Sequence, residues 1–476
     1  MEGDQSSCDS VSGHSHSLST SRSLSISSST PSSKAIPIAI VEPIEYYTQR
    51  RFHPIHLMDR FHETRYIILR KLGHGSFSTV WLAKDTRYDA RYVALKVGRA
   101  ESSESPSEEI KIYNRLPRVN VLHPGRDHYL DLQDNFRLKG PNGSHQVLVY
   151  QPMGPSVCEV QEKVVADGRF PLLTAKSILW QTLLGLDFLL DNGIVHGDVQ
   201  PRNLLFGLRS LAGVPVSALY QDQDIPLISV LPTQSQGGVK LPDYLVPANP
   251  LMQHFDLSRP FRIKISDLGG SFLISNPPSA PSPPLHLRGP ETLFQRRISA
   301  HQDMWSFGCL VFEFITGVTL FDLSDFAVSG ITDEMHFIDM YNILGFPKDE
   351  ALRDIQWPGW RKFFGPTGTP MNHYVRERAR DHHIIKKPVT PIIDQTLDET
   401  SGLGGTVIEG TPCIGEPLRY TLEQLLDNAI GETVPPGELE TMKNLLRGLL
   451  KFDPDQRFTT KDVIRHKWFS TFGSGV

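Results

Sequence analysis

The chain has 476 residues, 39% hydrophobic and 21% charged, the proportions of an ordinary soluble globular protein. A formal net charge of −5 provides no global basic field for nucleic acid. The four cysteines, Cys8, Cys158, Cys309 and Cys413, are too widely spaced for a zinc or disulfide framework, which implies a reducing compartment.

Residues 1–35 are dominated by Ser and hold almost no large apolar side chain. Such a segment cannot bury enough surface to offset chain entropy, so a disordered tail is expected, with Ser21 and Ser23 around Arg22 as candidate phosphorylation positions. Order is expected from about Ile36, as an extension over 36–65. Runs 66–72 and 78–82 are β-rich and flank a Gly-containing turn, and 92–97 reads as a third strand. Ser105-Pro-Ser-Glu108 predicts a helix start with Pro at the first helical position and Glu108 completing the cap. The inward face of that helix would carry Glu109, Ile112, Tyr113 and Leu116. Residues 147–150 read as another strand and 151–154 as a connector.

Helices dominate from about 175. The longest apolar run, 304–321, is too short and too interrupted, by Glu313 among others, to span a bilayer, and predicts a buried helix. Residues 207–261 are expected to be a surface excursion, partly disordered. The Pro-rich 275–284 is non-helical, and 388–417 is helix-poor. The N-terminus lacks the basic start and apolar core of a secretory signal. A cytoplasmic and/or nuclear protein without membrane contact is the resulting expectation.

Chemistry concentrates in four ordered fragments. In the first, Leu72, Gly73, His74, Gly75, Ser76, Phe77, Ser78, Thr79 and Val80 form a Gly-rich turn between strands, where missing Cβ atoms let the backbone approach a triphosphate. The third Gly of the usual pattern is Ser78 here. In the second, Lys96 sits within the apolar run 93–97, and a buried ammonium needs a partner. Glu109 on the following helix is the inward candidate, with Glu108 as the competing one. The third fragment, His196-Gly-Asp-Val-Gln-Pro-Arg-Asn203, puts Asp198 and Asn203 five residues apart on one loop. The fourth supplies Asp267 before Leu268 and Gly269. A carboxylate that orients and deprotonates a hydroxyl, with an amide and a second carboxylate for Mg²⁺, is what phosphoryl transfer from a nucleotide requires. Asp198 is therefore the candidate base, Asn203 and Asp267 the candidate metal ligands, and ATP with Mg²⁺ the expected cofactors. Val80 and Ala94 from above and Leu205 from below would sandwich the adenine, and 151–153, Met153 included, would meet its edge. Gln200 stands where a Lys is usual, so one charge near the γ-phosphate is missing.

These fragments, with Arg288-Gly-Pro-Glu291, Asp303-Met-Trp-Ser-Phe-Gly308 and Asp453-Pro-Asp-Gln-Arg457, resemble the eukaryotic protein kinases over about 66–472. The resemblance implies an α+β, two-lobed fold. A small antiparallel-β N-lobe with one main helix (about 66–152) would precede a larger, mainly helical C-lobe (about 153–472). It also implies an ion pair between Arg457 and Glu291. Within that superfamily, Phe52-His-Pro-Ile-His-Leu57, the run from Arg70 to Leu82, and Asp267-Leu-Gly269 in place of Asp-Phe-Gly resemble the SR-protein kinases, especially divergent fungal-type members. The implied reaction is transfer of the ATP γ-phosphate to Ser, secondarily Thr, of Arg-Ser-rich splicing factors. Direct nucleic-acid binding is not expected, and a monomer is. Gly197 replaces the Arg that would pair with a phosphorylated loop, and 267–291 holds no Thr or Tyr, so activity should not need loop phosphorylation. Asp333, Glu334, Asp349, Glu350 and Asp354 are candidate acidic docking residues. Two other readings remain: a pseudokinase scaffold, supported by Gln200 and Ser78, and a small-molecule kinase of the aminoglycoside phosphotransferase kind.

Overall fold

The computed structural model describes residues 41–89, 91–101, 105–116, 122–221, 227–230, 239–293, 298–322, 332–345, 361 and 420–473. All lie in one compact unit, Val41–Val476. The expectations for 1–35 and 388–417, and for Asp349, Glu350, Asp354 and the Glu334 side chain, fall outside the described residues. Asp333 is exposed.

The N-lobe is a six-stranded antiparallel sheet in the order β1-β2-β3-β4-β6-β5. Its strands are β1 Arg60–Phe61, β2 Tyr66–His74, β3 Ser78–Asp85, β4 Tyr92–Glu101, β5 Leu132–Gly140 and β6 Gly143–Tyr150. Strand β5 is an edge strand whose one buried side chain is Phe136, so no apolar alternation announces it. Both faces of the sheet are covered, which explains why apolar residues in β2–β4 do not simply alternate with polar ones. Trp81, Ala83, Val93, Leu95, Val97, Val147 and Val149 pack together on one face, under Ile55 and Val246. Ala94, Leu148 and Tyr150 point the other way, toward α1, Glu108–Tyr113.

The α1 cap differs from the expected one. Ser107, not Ser105, accepts from the Ile110 N–H at 3.5 Å. Glu108 leaves the cap and binds Lys111 Nζ at 2.6 Å. The shift leaves Pro106 ahead of the helix and puts Glu108 and Glu109 in the first turn, where the helix dipole favours negative charge. Glu109, Ile112, Tyr113 and Leu116 are buried as the spacing requires.

The C-lobe begins with α2, Val157–Lys163, and the long α3, Leu172–Asp191, which is buried nearly all round. Short strands β7, Ile194–Val195, and β8, Leu204–Phe206, flank the loop that carries Asp198.

The described parts of 207–261 are an excursion that does not stay in solvent, since part of it packs on the N-lobe. Helix α4, Val216–Leu219, and the strand pair β9, Ile228–Ser229, with β10, Tyr244–Leu245, belong to a strap that reaches the N-lobe. Leu211, Leu219 and Leu251 bury against Leu69, Leu82 and Tyr92 of the sheet. Gln221 N–H donates to Leu69 O at 2.9 Å, and Tyr92 Oη donates to Val214 O at 2.6 Å. Leu245 joins Tyr47 and Phe52 of the N-terminal extension. That extension is also held by Glu42, whose buried carboxylate accepts from Lys71 Nζ and Tyr47 Oη. The strap's apolar residues, scattered among Pro, Gln and Ser, are the physical reason it docks.

Beyond the strap come β11, Ile263–Ile265, paired with β8, and β12, Phe272–Leu273, paired with β7. Helices α5 Pro290–Leu293, α6 His301–Thr316, α7 Thr332–Leu344, α8 Leu422–Ile430, α9 Pro436–Leu449 and α10 Thr460–Ile464 follow. The core of the lobe joins α3, α6, α7, α8 and α9, with α6 at its centre. As its sequence implies, α6 is a buried helix; no helix among the described residues is long and apolar enough to cross a membrane.

Candidate active site

Lys96 is delivered from the middle of β4, on the face opposite Leu95 and Val97. Its Nζ lies 2.9 and 2.8 Å from the two Glu109 carboxylate oxygens and 2.7 Å from Asp267 Oδ1. Burial alone would depress the ammonium, but the two carboxylates outweigh it and hold its pKa above the ordinary value. Tyr150 Oη donates to Glu109 Oε1 at 3.0 Å, a support that sequence reasoning missed. The charge of Lys96 in turn holds the Asp267 carboxyl below the usual range. Asp267 adopts left-handed backbone (φ 65°), and its Oδ1 also accepts from Gly269 N–H at 3.2 Å.

The loop between β7 and β8 carries the second group. Gln200 Nε2 reaches both Asp198 oxygens, and Asn203 Nδ2 donates to Asp198 Oδ2 at 3.0 Å and to its backbone O at 2.9 Å. Burial raises the Asp198 carboxyl above its ordinary pKa despite these bonds. A raised pKa makes a carboxylate a better proton acceptor. The loop's backbone is pinned from α6, where Asp303 accepts from His196 N–H at 2.8 Å and from Gly197 N–H at 2.9 Å. His196 ties the two halves of the site together: Nδ1 accepts from Asp198 N–H at 3.2 Å, and Nε2 faces Ser266 O at 3.1 Å. Asp303 and His196 both sit inside motifs read for other reasons, and their bracing role leaves no separate trace in the sequence.

Gly197 is more than an absent arginine. Its φ is +76°, and an added Cβ would stand 2.5 Å from Gly270 O. The backbone held by Asp303 therefore favours glycine at this position.

Five of the predicted nucleotide residues gather in one apolar cluster between the sheet and the loop after β7. Leu72, Val80, Ala94, Met153 and Leu205 join Leu148, Tyr150 and Leu268 in a single apolar cluster. Gly73 and Gly75 border open space, with nothing within 4 Å of an added Cβ. Ser76, like Phe77, is exposed at the turn, whereas His74 and Ser78 are half-buried. Thr79 departs from expectation. It is buried on the opposite face, where its Oγ1 accepts from Trp81 Nε1 at 3.0 Å, so strand alternation removes its side chain from the cleft. Phe77 also turns away, placing its ring over Arg99. A magnesium nucleotide fits the residues present. Asn203 Nδ2 is engaged by Asp198, and Asn203 O accepts from Ser266 N–H at 2.8 Å, which brings its loop alongside the segment that carries Asp267. The Asn203 amide oxygen and the Asp267 carboxylate are hard-oxygen donors of the kind Mg²⁺ takes.

Below the cleft, Arg457 and Glu291 form a bidentate pair at 2.8 and 2.9 Å, both side chains fully buried. Residues 66–211 and 245–469 match the protein kinase domain family. The chain belongs to that family. The Saccharomyces cerevisiae serine/threonine-protein kinase SKY1 is 36% identical over 179 residues, 36% of this chain but only 24% of that protein. The Physarum polycephalum serine/threonine-protein kinase SRPK is 29% identical over 442 residues, 90% of this chain and 91% of that protein. A crystal structure of a kinase domain aligns with TM-score 0.55 at 17% identity, covering 89% of this chain and 99% of that one, a likeness of fold. Within the protein kinases, this chain resembles the SR-protein kinases. The antiparallel N-lobe and helical C-lobe are those of the two-lobed kinase fold.

Proposed function

We propose that this chain is a serine/threonine protein kinase that transfers the γ-phosphate of ATP to Ser, secondarily Thr, in Arg-Ser-rich proteins. The observation that carries the reading is the convergence of Lys96, Glu109, Asp267, Asp198 and Asn203 on one cleft. Lys96, fixed by Glu109, would bind α- and β-phosphate oxygens. Asn203 and Asp267 would hold Mg²⁺, which neutralises charge on the transferring group. Asp198 would orient the acceptor hydroxyl and take its proton, with Gln200 and Asn203 fixing the carboxylate. The buried Glu291–Arg457 pair and the α6 bracing of the loop support a protein kinase over an aminoglycoside-type phosphotransferase. The Arg-Ser preference rests on likeness to SR-protein kinases.

The test is incubation with Mg-ATP and two peptides, one an Arg-Ser repeat and one Ser-rich but non-basic, beside Asp198→Ala. Asp198-dependent transfer to the Arg-Ser peptide alone is expected. Equal transfer to both would overturn the substrate class; ATP binding without transfer to either would favour the pseudokinase reading.

A further inference from the structure

The tip of the Gly-rich turn is tied to the N-terminal extension by Arg99. Arg99 lies in the last residues of β4, Tyr92–Glu101, beside the turn, and its N–H donates to Phe77 O at 3.0 Å. Its guanidinium stands 4.7 Å from the centroid of the Phe77 ring, 5.5 Å from Tyr46 and 5.8 Å from Phe52. It makes no ion pair among the described residues, and its Nε is buried without a hydrogen-bond partner. The cation is thus held by aromatic faces rather than by carboxylates. The two rings beneath it are fixed in turn. Tyr46 packs edge-on against Phe52 at 5.4 Å, and Phe52 is buried beside Tyr47 and the strap's Leu245. The Phe52 carbonyl accepts from Asn142 Nδ2 at 2.9 Å, and the same amide donates to Lys240 O of the strap at 3.0 Å. Phe77 itself is 72% exposed, and the Arg99 guanidinium stands against its ring.

We propose that Arg99 is a positioning residue for nucleotide binding, through which the N-terminal extension holds the tip of the Gly-rich turn over the phosphates. This rests on the kinase reading of the cleft. A turn bordered by open space and built on Gly73 and Gly75 has many accessible conformations. Holding its tip through Phe77 lowers the entropy lost when the backbone closes on phosphate. Arg99 touches no reacting atom and acts through Phe77.

The experiment uses the full chain. Affinities for Mg-ADP and Mg-ATP are measured for the wild type, Phe77→Ala, Arg99→Gln, Arg99→Lys and the double variant, with KM for ATP and kcat alongside. Phe77→Ala and Arg99→Gln should each weaken nucleotide binding about two- to fivefold, the scale of a cation–π contact, with kcat little changed. Arg99→Lys should recover part of the loss. The double variant should be no worse than either single one, because both remove the same contact. Arg91→Gln, which removes a guanidinium 5.0 Å from the Tyr88 ring, should leave nucleotide affinity unchanged. Phe77 is exposed enough that its variant carries no folding risk. Unchanged or tighter binding in Phe77→Ala, or additive losses in the double variant, would overturn the proposal. A wild-type chain that binds no nucleotide would overturn the kinase reading as well, which separates the two failures.

Discussion

Gln200 Nε2 lies 2.8 Å from each of the two carboxylate oxygens of Asp198. A neutral amide here aligns the carboxylate but brings no positive charge to the γ-phosphate. Gln200→Ala leaves that carboxylate held by Asn203 alone and should lower kcat by at least about tenfold, less than the roughly 10²–10³-fold lost with a sole preorganised donor. Gln200→Lys should raise kcat above wild type, because an ammonium adds charge where the phosphoryl group transfers. Steady-state kinetics on the Arg-Ser peptide check both. An unchanged kcat in Gln200→Lys would show that the missing charge does not limit the chemistry.

Lys96→Met and Asp198→Ala should each reduce kcat by two orders of magnitude or more, a loss of about 3 kcal/mol of transition-state stabilisation. Neither should unfold the protein, since Lys96 and Asp267 are partly open to solvent and Asp198 contributes no core packing. Thermal melts beside activity assays separate the two effects. Full activity in both variants would remove this cleft as the site of chemistry.

How much of this was legible in the sequence depended on the length scale of the signal. Lys96, Glu109, Asp198, Asn203 and Asp267 stand in short fragments whose spacing reflects local chemistry. The structure bonds Lys96 to Glu109 and Asp267 and bonds Asn203 to Asp198, and the Asp267 charge acts on Asp198. Glu109 was separable from Glu108 by helical periodicity alone, which points residue 109 inward with Ile112 and Tyr113. The start of that helix was not, because Ser105 has the stronger local cap pattern, with Pro106 and Glu108 after it, yet the helix starts from Ser107. The strap was illegible for a different reason. Leu211, Leu219, Val246 and Leu251 show no common period, and each finds its partner on strands more than 100 residues earlier. Thr79 was misplaced because a motif names consecutive residues, whereas a strand sends alternate side chains to opposite faces.

Glu291 and Arg457 exchange two hydrogen bonds with both side chains fully out of solvent, and Arg457 also donates to His301 O and Lys451 O. Removing one partner leaves an uncompensated buried charge. Glu291→Gln or Arg457→Met should therefore cost about 3–5 kcal/mol of stability. Chemical denaturation with an unchanged m-value checks the figure. A loss under about 1 kcal/mol would mean that water reaches the pair.

The strap predicts a coupling that its surface location in the chain would not suggest. Leu219 is fully buried against Leu69, Leu82 and Tyr92 of the N-lobe sheet. Leu219→Ala should destabilise the protein by about 2–4 kcal/mol, the cost of a cavity in a packed core. Hydrogen exchange should then accelerate at the backbone N–H of Gln221 and Asn249, which donate to Leu69 O and Lys71 O. Unaltered exchange at both would show that the strap is not held by this contact.

His53 sits edge-on to His145 with ring centroids 5.1 Å apart, and its Nδ1 is buried without a hydrogen-bond partner. Burial, reinforced by the neighbouring His145, pushes its pKa down to about 4. The unfolded chain, with an imidazole near its ordinary value of about 6.5, takes up that proton first as pH falls. Stability from this site is thus complete above about pH 6.5 and is lost progressively toward pH 4. The loss should not exceed about 3 kcal/mol. His53→Phe keeps a ring of similar size and removes the titration. Its melting temperature should fall less than that of the wild type between pH 7 and pH 5. Parallel pH profiles for the two proteins would mean that His53 is already protonated, or reached by water, in the folded state.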